Sequence, residues 1–181
     1  MRRLQYLIPL MIIALAACSL GLSAGGVAEK PISSDESSAA TSTFTDTIAG
    51  FSFDYPDSWH LIDGSDPNVT AYAITITSYD TANILGSEGV LENETKIDFF
   101  VMPDVSDMNA FLDEFRASKE VLEESTVTLD SGFAAARLRL RGTFGDEAVI
   151  LMTIINNHGI IASGFDGLGR FDEITGTLRL A

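Results

Sequence analysis

The chain has 181 residues, with 26 acids against 11 Lys and Arg, and a formal charge of −15. That length fits one domain once a targeting segment is set aside, and a domain of roughly 140 residues buries about two-thirds of its unfolded surface without disulfides or metals. All 26 acids follow residue 18 while Arg2 and Arg3 precede it, so the chain beyond Ala17 carries 26 acids against 9 bases, −17. Such a surface repels phosphate backbones and anionic head groups, which argues against nucleic acid as a partner and against membrane attachment through a basic patch.

Arg2 and Arg3 form a cationic n-region, and Leu4 to Ala17 an apolar h-region ending in small residues. Leu15-Ala16-Ala17-Cys18 closes it and resembles the lipobox of bacterial lipoproteins. The resemblance implies that residues 1–17 are a signal peptide, that cleavage falls before Cys18, and that its thiol receives diacylglycerol. The competing reading is an uncleaved span. As a helix the h-region reaches about 21 Å, short of a hydrocarbon core of about 30 Å. Two acyl chains hold a protein at a membrane stably, so the expected location is the cell envelope, lipid-anchored and facing outside the cytoplasm. Cys18 is the only cysteine, and lipidation leaves no thiol for disulfides, metal or nucleophilic catalysis.

Ser19 to Thr43 has no aromatic residue and is dominated by Ser, Thr, Ala and Gly. Residues 18–43 therefore read as the lipidated Cys and a flexible tether, about 25–30 Å end to end on average. From Phe44 the pattern becomes that of a folded domain, expected over residues 44–181. Phe51, Phe53 and Tyr55 alternate with Ser52 and Asp54 up to Pro56; Tyr72, Ile74 and Ile76, then Ile97, Phe99 and Val101, repeat the period of two. Ser106 is the expected N-cap of a helix burying Met108, Phe111, Leu112 and Phe115, spaced i, i+3, i+4, i+7. Val127 and Leu129 alternate again, and Ala136, Leu138 and Leu140 face opposite to Arg137, Arg139 and Arg141. Ala148 to Ile155 is apolar on both faces, as a covered central strand is, and Asn156-Asn157-His158-Gly159 supplies a hairpin turn. Arg170 to Leu178 is a weaker closing helix. Together these elements predict an α+β fold, a central antiparallel sheet with helices on its faces.

Gly50-Phe51-Ser52-Phe53-Asp54-Tyr55-Pro56-Asp57-Ser58-Trp59 resembles the opening of the Mog1/PsbP-like superfamily, and the order of elements after it is similar. The resemblance implies an α/β/α sandwich over the domain. That superfamily includes extrinsic photosystem II subunits, a nuclear-transport factor and bacterial lipoproteins, whose members mostly bind protein partners. The lipobox and tether set this chain apart from the first two groups, so neither role is carried over, nor any functional residue. Pro56 removes a ladder donor, and Trp59 is expected to return a large ring onto the core.

The search for chemistry finds little. His60 and His158 lie in different elements, and no HExxH, Gly-x-Ser-x-Gly or P-loop occurs. Gly164, Gly167 and Gly169 reverse the dinucleotide spacing and read as a glycine-rich connection. Asp63, Asp66 and Asn68 gather oxygens that could hold Ca²⁺, off the EF-hand spacing and in residues any turn needs. Arg137, Arg139 and Arg141 stand about 7 Å apart along one strand face. They read either as cross-strand partners of Asp146, Glu147 and other acids or as a partner-docking stripe. The expectation is a non-catalytic partner-binding or assembly module, without cofactor, whose partner is an envelope protein. The alternative is an envelope hydrolase or small-ligand-binding lipoprotein.

Replacing Cys18 with Ala should leave an unlipidated, slower-migrating precursor, while the wild-type protein begins at Cys18 and partitions with detergent. A soluble wild-type product beginning near Ala24 would contradict lipidation.

Overall fold

The computed structural model describes residues 40–81, 94–141, 147–166 and 169–181. Cys18, the signal peptide, the tether up to residue 39, Asp146 and Gly167 lie outside the described residues. The strands are β1 (Thr41–Asp46), β2 (Phe51–Pro56), β3 (His60–Asp63), β4 (Tyr72–Thr77), β5 (Thr95–Met102), β6 (Glu120–Thr128), β7 (Ala134–Arg141), β8 (Glu147–Ile155), β9 (His158–Asp166) and β10 (Arg179–Leu180). The helices are α1 (Met108–Ser118) and α2 (Phe171–Gly176). Neither is long and apolar enough to cross a membrane.

All strand pairs are antiparallel and form two sheets, one of three strands ordered β1-β2-β10 and one of seven ordered β3-β4-β5-β9-β8-β7-β6. Alternation decides which face each strand buries. Ile74, Ile76, Ile97, Phe99, Val101, Ile160, Ala162 and Leu151 point from one face of the large sheet into a core completed by Phe44, Phe51 and Phe53 of the small sheet and Phe171 and Ile174 of α2. Phe53 and Phe99 stack across the two sheets, centroids 4.2 Å apart and rings 16° from parallel. The opposite face sends Ala136, Leu138, Leu140, Ile150 and Met152 against Phe111 and Leu112 of α1. The double covering of β8 accounts for its apolar character on both sides.

The expected sandwich is thus altered on one side. α1 covers one face of the sheet, as expected, whereas the other is covered by the small sheet together with the two-turn α2. The physical reason lies in length: six residues of α2 span about 9 Å, too short to shield seven strands, and β1, β2 and β10 supply the remaining apolar surface. β1 also begins at Thr41, three residues before Phe44. Thr41, Ser42 and Thr43 pair with Pro56, Tyr55 and Asp54, since β-branched Thr and a polar alternation suit a half-covered edge.

Local chemistry fixes the remaining turns. Asp107, not Ser106, caps α1: its side chain accepts from the Asn109 and Ala110 amides at 2.9 and 3.3 Å. Asn156 and Asn157 take φ of 49° and 60°, the left-handed pair that a two-residue hairpin needs, and His158 and Gly159 already belong to β9. Gly159 lies against Phe111 and Val105, where a Cβ would stand 2.8 and 2.9 Å from their side chains. Gly164 faces the other way, its Cβ position 2.6 Å from the Lys96 carbonyl and 3.2 Å from Phe171. Trp59 is half-buried at the margin of the main core.

Two expectations follow for urea denaturation. Phe53→Ala, which removes a fully buried stacked ring, should cost about 3–5 kcal/mol, whereas Trp59→Ala should cost less, because that ring is only partly buried against the core. A chain beginning at Phe44 loses three pairs of β1 and should unfold at lower urea than one beginning at Ala40; equal midpoints would show that those pairs contribute nothing.

Candidate functional site

Ala136, Leu138 and Leu140 must face the α1 core, and the pleat therefore sends Arg137, Arg139 and Arg141 to the other face of β7. That face is the one covered by the small sheet and α2, but the cover ends beside Arg137. Arg137 reaches α2 in a bidentate pair, Nε to Asp172 Oδ1 at 2.7 Å and Nη2 to Oδ2 at 3.0 Å. Beyond it Arg139 lies between Glu123 of β6 and Glu147 of β8, 3.3 Å from each, and Arg141 Nε stands 3.2 Å from Glu120 of β6. Side-chain exposure rises along the row, from 29% at Arg137 to 45% at Arg139 and 47% at Arg141. The result is an open ladder of alternating sign, arginines from β7 flanked by glutamates from both neighbouring strands. The hydrogen bond to Asp172 raises the Arg137 pKa above its ordinary value, outweighing the opposite effect of burial.

The pairing with neighbouring strands follows the register, which sets Glu123 opposite Arg139 and Glu120 and Glu147 opposite Arg141. Asp172 has no such sequence signal, because it arrives from a helix 35 residues away. The oxygens of the Asp63–Asn68 loop serve the loop itself. Asp63 Oδ1 accepts from the Ser65 amide at 2.9 Å, and Asp66 Oδ1 accepts from the Asn68 amide and from its Nδ2, each at 2.8 Å. Those bonds to Asn68 lower the Asp66 pKa. Among the described residues no group of three or more His, Cys, Asp or Glu is placed to hold a metal ion. His60 and His158 are kept apart, on β3 and β9 with β4 and β5 between them. The register sets His60 level with Phe165 at the far end of β9 from His158, so about 14 Å across the strands is joined by about 23 Å along them.

A groove of about 380 Å³ opens between the small sheet and α2, lined by Thr41, Asp54, Tyr55, Pro56, Arg170, Glu173, Ile174 and Thr177. Its charges are engaged. Asp54 binds the Arg179 guanidinium through both oxygens, at 2.7 and 3.0 Å, and Thr43 Oγ1 donates to it at 2.6 Å; Glu173 pairs with Arg170. The bond from Arg179, with Thr43, holds the Asp54 carboxyl below its ordinary 3.8 against the opposing effect of burial. A general acid needs the reverse shift, so Asp54 is suited to clamping β2 to β10 rather than to donating a proton.

No protein-family model and no curated protein matches the sequence. Among solved structures, cyanobacterial PsbP (CyanoP) from Synechocystis sp. PCC 6803 is similar, with a TM-score of 0.51 over 88% of this chain and 98% of that one at 14% identity. A structure from Bacteroides thetaiotaomicron aligns at a TM-score of 0.40 and 14% identity over 77% of this chain and 48% of that one, too loosely to carry an inference. The chain has the PsbP/Mog1-like fold, with antiparallel sheets and few helices.

The Asp54–Arg179 clamp carries a pH dependence. A carboxyl whose pKa is lowered on folding contributes stability above its unfolded pKa and loses it as pH falls through the lowered folded value. Stability should therefore fall as acid is added below about pH 4, and Asp54→Asn should flatten part of that limb in denaturation midpoints measured from pH 6 to pH 2. An unchanged acid limb in the variant would remove the clamp as its cause.

Proposed function

We propose that this chain is a membrane-anchored extracytoplasmic lipoprotein whose domain binds an envelope protein and catalyses nothing. The observation that carries the reading is the exposed ladder of Arg139 and Arg141 among Glu120, Glu123 and Glu147, on the part of the sheet face that the small sheet and α2 leave open. A rigid strand presents these charges in fixed register. A partner strand or loop with matching charges exchanges pairs with them at little conformational cost, and such complementarity selects partners more than it adds affinity. The PsbP-like fold supports the reading as a scaffold similar to CyanoP. The leader pattern ending in Leu15-Ala16-Ala17-Cys18 supports the anchor. Arg137 is the least available of the three, being fastened to α2, and serves as the fixed end of the docking row. The second reading, a small-ligand or glycan-acting lipoprotein, draws on the groove between the small sheet and α2.

Replacing Arg139 and Arg141 with Gln tests the first reading. Exposed ion pairs are worth about 0–1 kcal/mol each, so the double variant should keep its denaturation midpoint nearly unchanged. Photo-crosslinking from position 125, opposite Arg137 on the neighbouring edge strand, in intact cells should then yield less of any protein adduct than in the wild type. An adduct of unchanged yield in a folded variant moves docking away from the ladder. Turnover of a glycan or ester by the purified protein, abolished by Asp54→Asn or Glu173→Gln, would replace this reading with the second.

A further inference from the structure

The exposed large hydrophobics of the described residues are Ile48, Ile62, Val69 and Leu180, at 37, 47, 47 and 54% exposure. They are dispersed in sequence, yet the topology gathers them. The register sets the Asp63 end of β3 beside Ile74, Tyr72 beside Val101 and Met102 beside Gly159. The turns that follow β3, β5, β6 and β8 therefore emerge at one end of the large sheet. The small sheet adds its own turn to the same end. Tyr72 donates to Asp46 at 2.6 Å, the Asn156 side chain donates to the Ala49 carbonyl at 3.1 Å, and the Ala181 amide donates to the Gly50 carbonyl at 3.1 Å. Ile48 of the β1–β2 turn, Val69 of the β3–β4 loop and Leu180 of β10 thus crown one end, with Ile62 close by as the penultimate residue of β3.

The charge at this end is one-sided. Its turns hold Asp63, Asp66, Asp104, Asp107 and Asp130 in the loops after β3, β5 and β6, together with the buried Asp46. The basic residue there, Arg179, is directed to Asp54 and to the Thr177 carbonyl. Exposed apolar side chains rimmed by charge mark interaction sites, and a field of one sign selects the opposite sign in the partner. A second copy of this chain would bring the same acids face to face, and an anionic lipid surface would be repelled. The start of β1 lies at the other end, where the Asp57 amide donates to the Ala40 carbonyl at 3.0 Å, so the apolar end points away from the entry of the N-terminal segment.

We propose that this end docks a protein with a basic surface, Ile48, Val69 and Leu180 supplying the apolar anchors and the surrounding aspartates the selectivity. The inference rests on the binding-module reading and names a surface and a partner chemistry for it, separate from the arginine ladder.

The test places a photo-crosslinking residue at position 48, 69 or 180 of the full chain in its native cells, with position 113 on the outer side of α1 as control. Each of the three should give a discrete protein adduct that position 113 does not, and the contact peptide recovered by mass spectrometry should lie in a Lys- and Arg-rich surface. Asp63→Asn with Asp66→Asn and Asp104→Asn keeps turn-forming side chains while removing three charges. It should lower the adduct yield roughly tenfold, about 1.4 kcal/mol, with an unchanged thermal midpoint, and raising salt should lower the wild-type yield in permeabilised cells. An adduct of two copies of this chain, an adduct with lipid, a neutral or acidic contact peptide, or no adduct at all overturns the proposal. If position 125 beside the ladder gives a protein adduct while positions 48, 69 and 180 give none, this inference fails and the binding-module reading stands; if neither does, both fail.

Discussion

A single buried carboxylate joins the two sheets. Asp46 is 1% exposed, the only ionisable side chain among the buried residues described, and burying such a group is costly unless hydrogen bonds replace its water. Three donors do so: the Ile48 and Ala49 amides at 2.7 and 3.1 Å from one oxygen, and the Tyr72 hydroxyl at 2.6 Å from the other. The amides set the turn from β1 into β2, while Tyr72 belongs to the large sheet, so one side chain both shapes the hairpin and fastens it. Desolvation, reinforced by the bond to Asp46, pushes the Tyr72 phenol far above its usual 10, which keeps it a donor across any physiological pH. With the hairpin held there, Phe51 and Phe53 can face the large sheet, and the stack of Phe53 on Phe99 becomes possible.

The sequence made the strands legible where burial alternated. Phe51 and Phe53, Ile74 and Ile76, Ile97 and Phe99, and Ala136 to Leu140 each line a core because their neighbours face outward or into a second layer. Where an element is short or buries only a few side chains, the pattern vanished. β6 runs from Glu120 but was visible only near Val127 and Leu129, because the bulge between Val121 and Glu123 breaks the alternation and exposed Glu, Ser and Thr follow it. β3 and β10 are too short for a period to show, and β1 hid within a run of Thr and Ser. Asp46 carried a local signal, an Asp ahead of a turn closed by Gly50, but nothing in the sequence announced that Tyr72 would meet it.

The candidate site was legible in the same uneven way. Alternation alone put the three arginines on one face, and the register supplied Glu147 as a partner. Glu120 and Glu123 were hidden with the edge strand that carries them, and Asp172 depends on where α2 lands. The loop acids at Asp63 and Asp66 show the converse: a promising cluster of oxygens whose hydrogen bonds are spent on shaping the loop. An acidic protein with few bases has thus placed three of them side by side, and acids dominate the end of the sheet that carries Ile48, Val69 and Leu180. The two surfaces present different chemistries to a partner, one alternating in sign and flat, the other apolar and negative.

β9 has a further consequence. Gly159 on one face takes the Phe111 ring of α1, and Gly164 on the other lies against the Phe171 ring of α2, so one strand holds the seats of both helices. Neither core can loosen without disturbing the wall it shares with the other. Amide protons along the middle of β9 are then protected by both layers at once, and their exchange with solvent requires opening of the whole domain rather than local fraying. Edge strands such as β6 lack that double cover and exchange through smaller excursions, so Glu120 and Glu123 ride on the looser rim while the arginines of β7, paired on both sides, stay with the fixed frame.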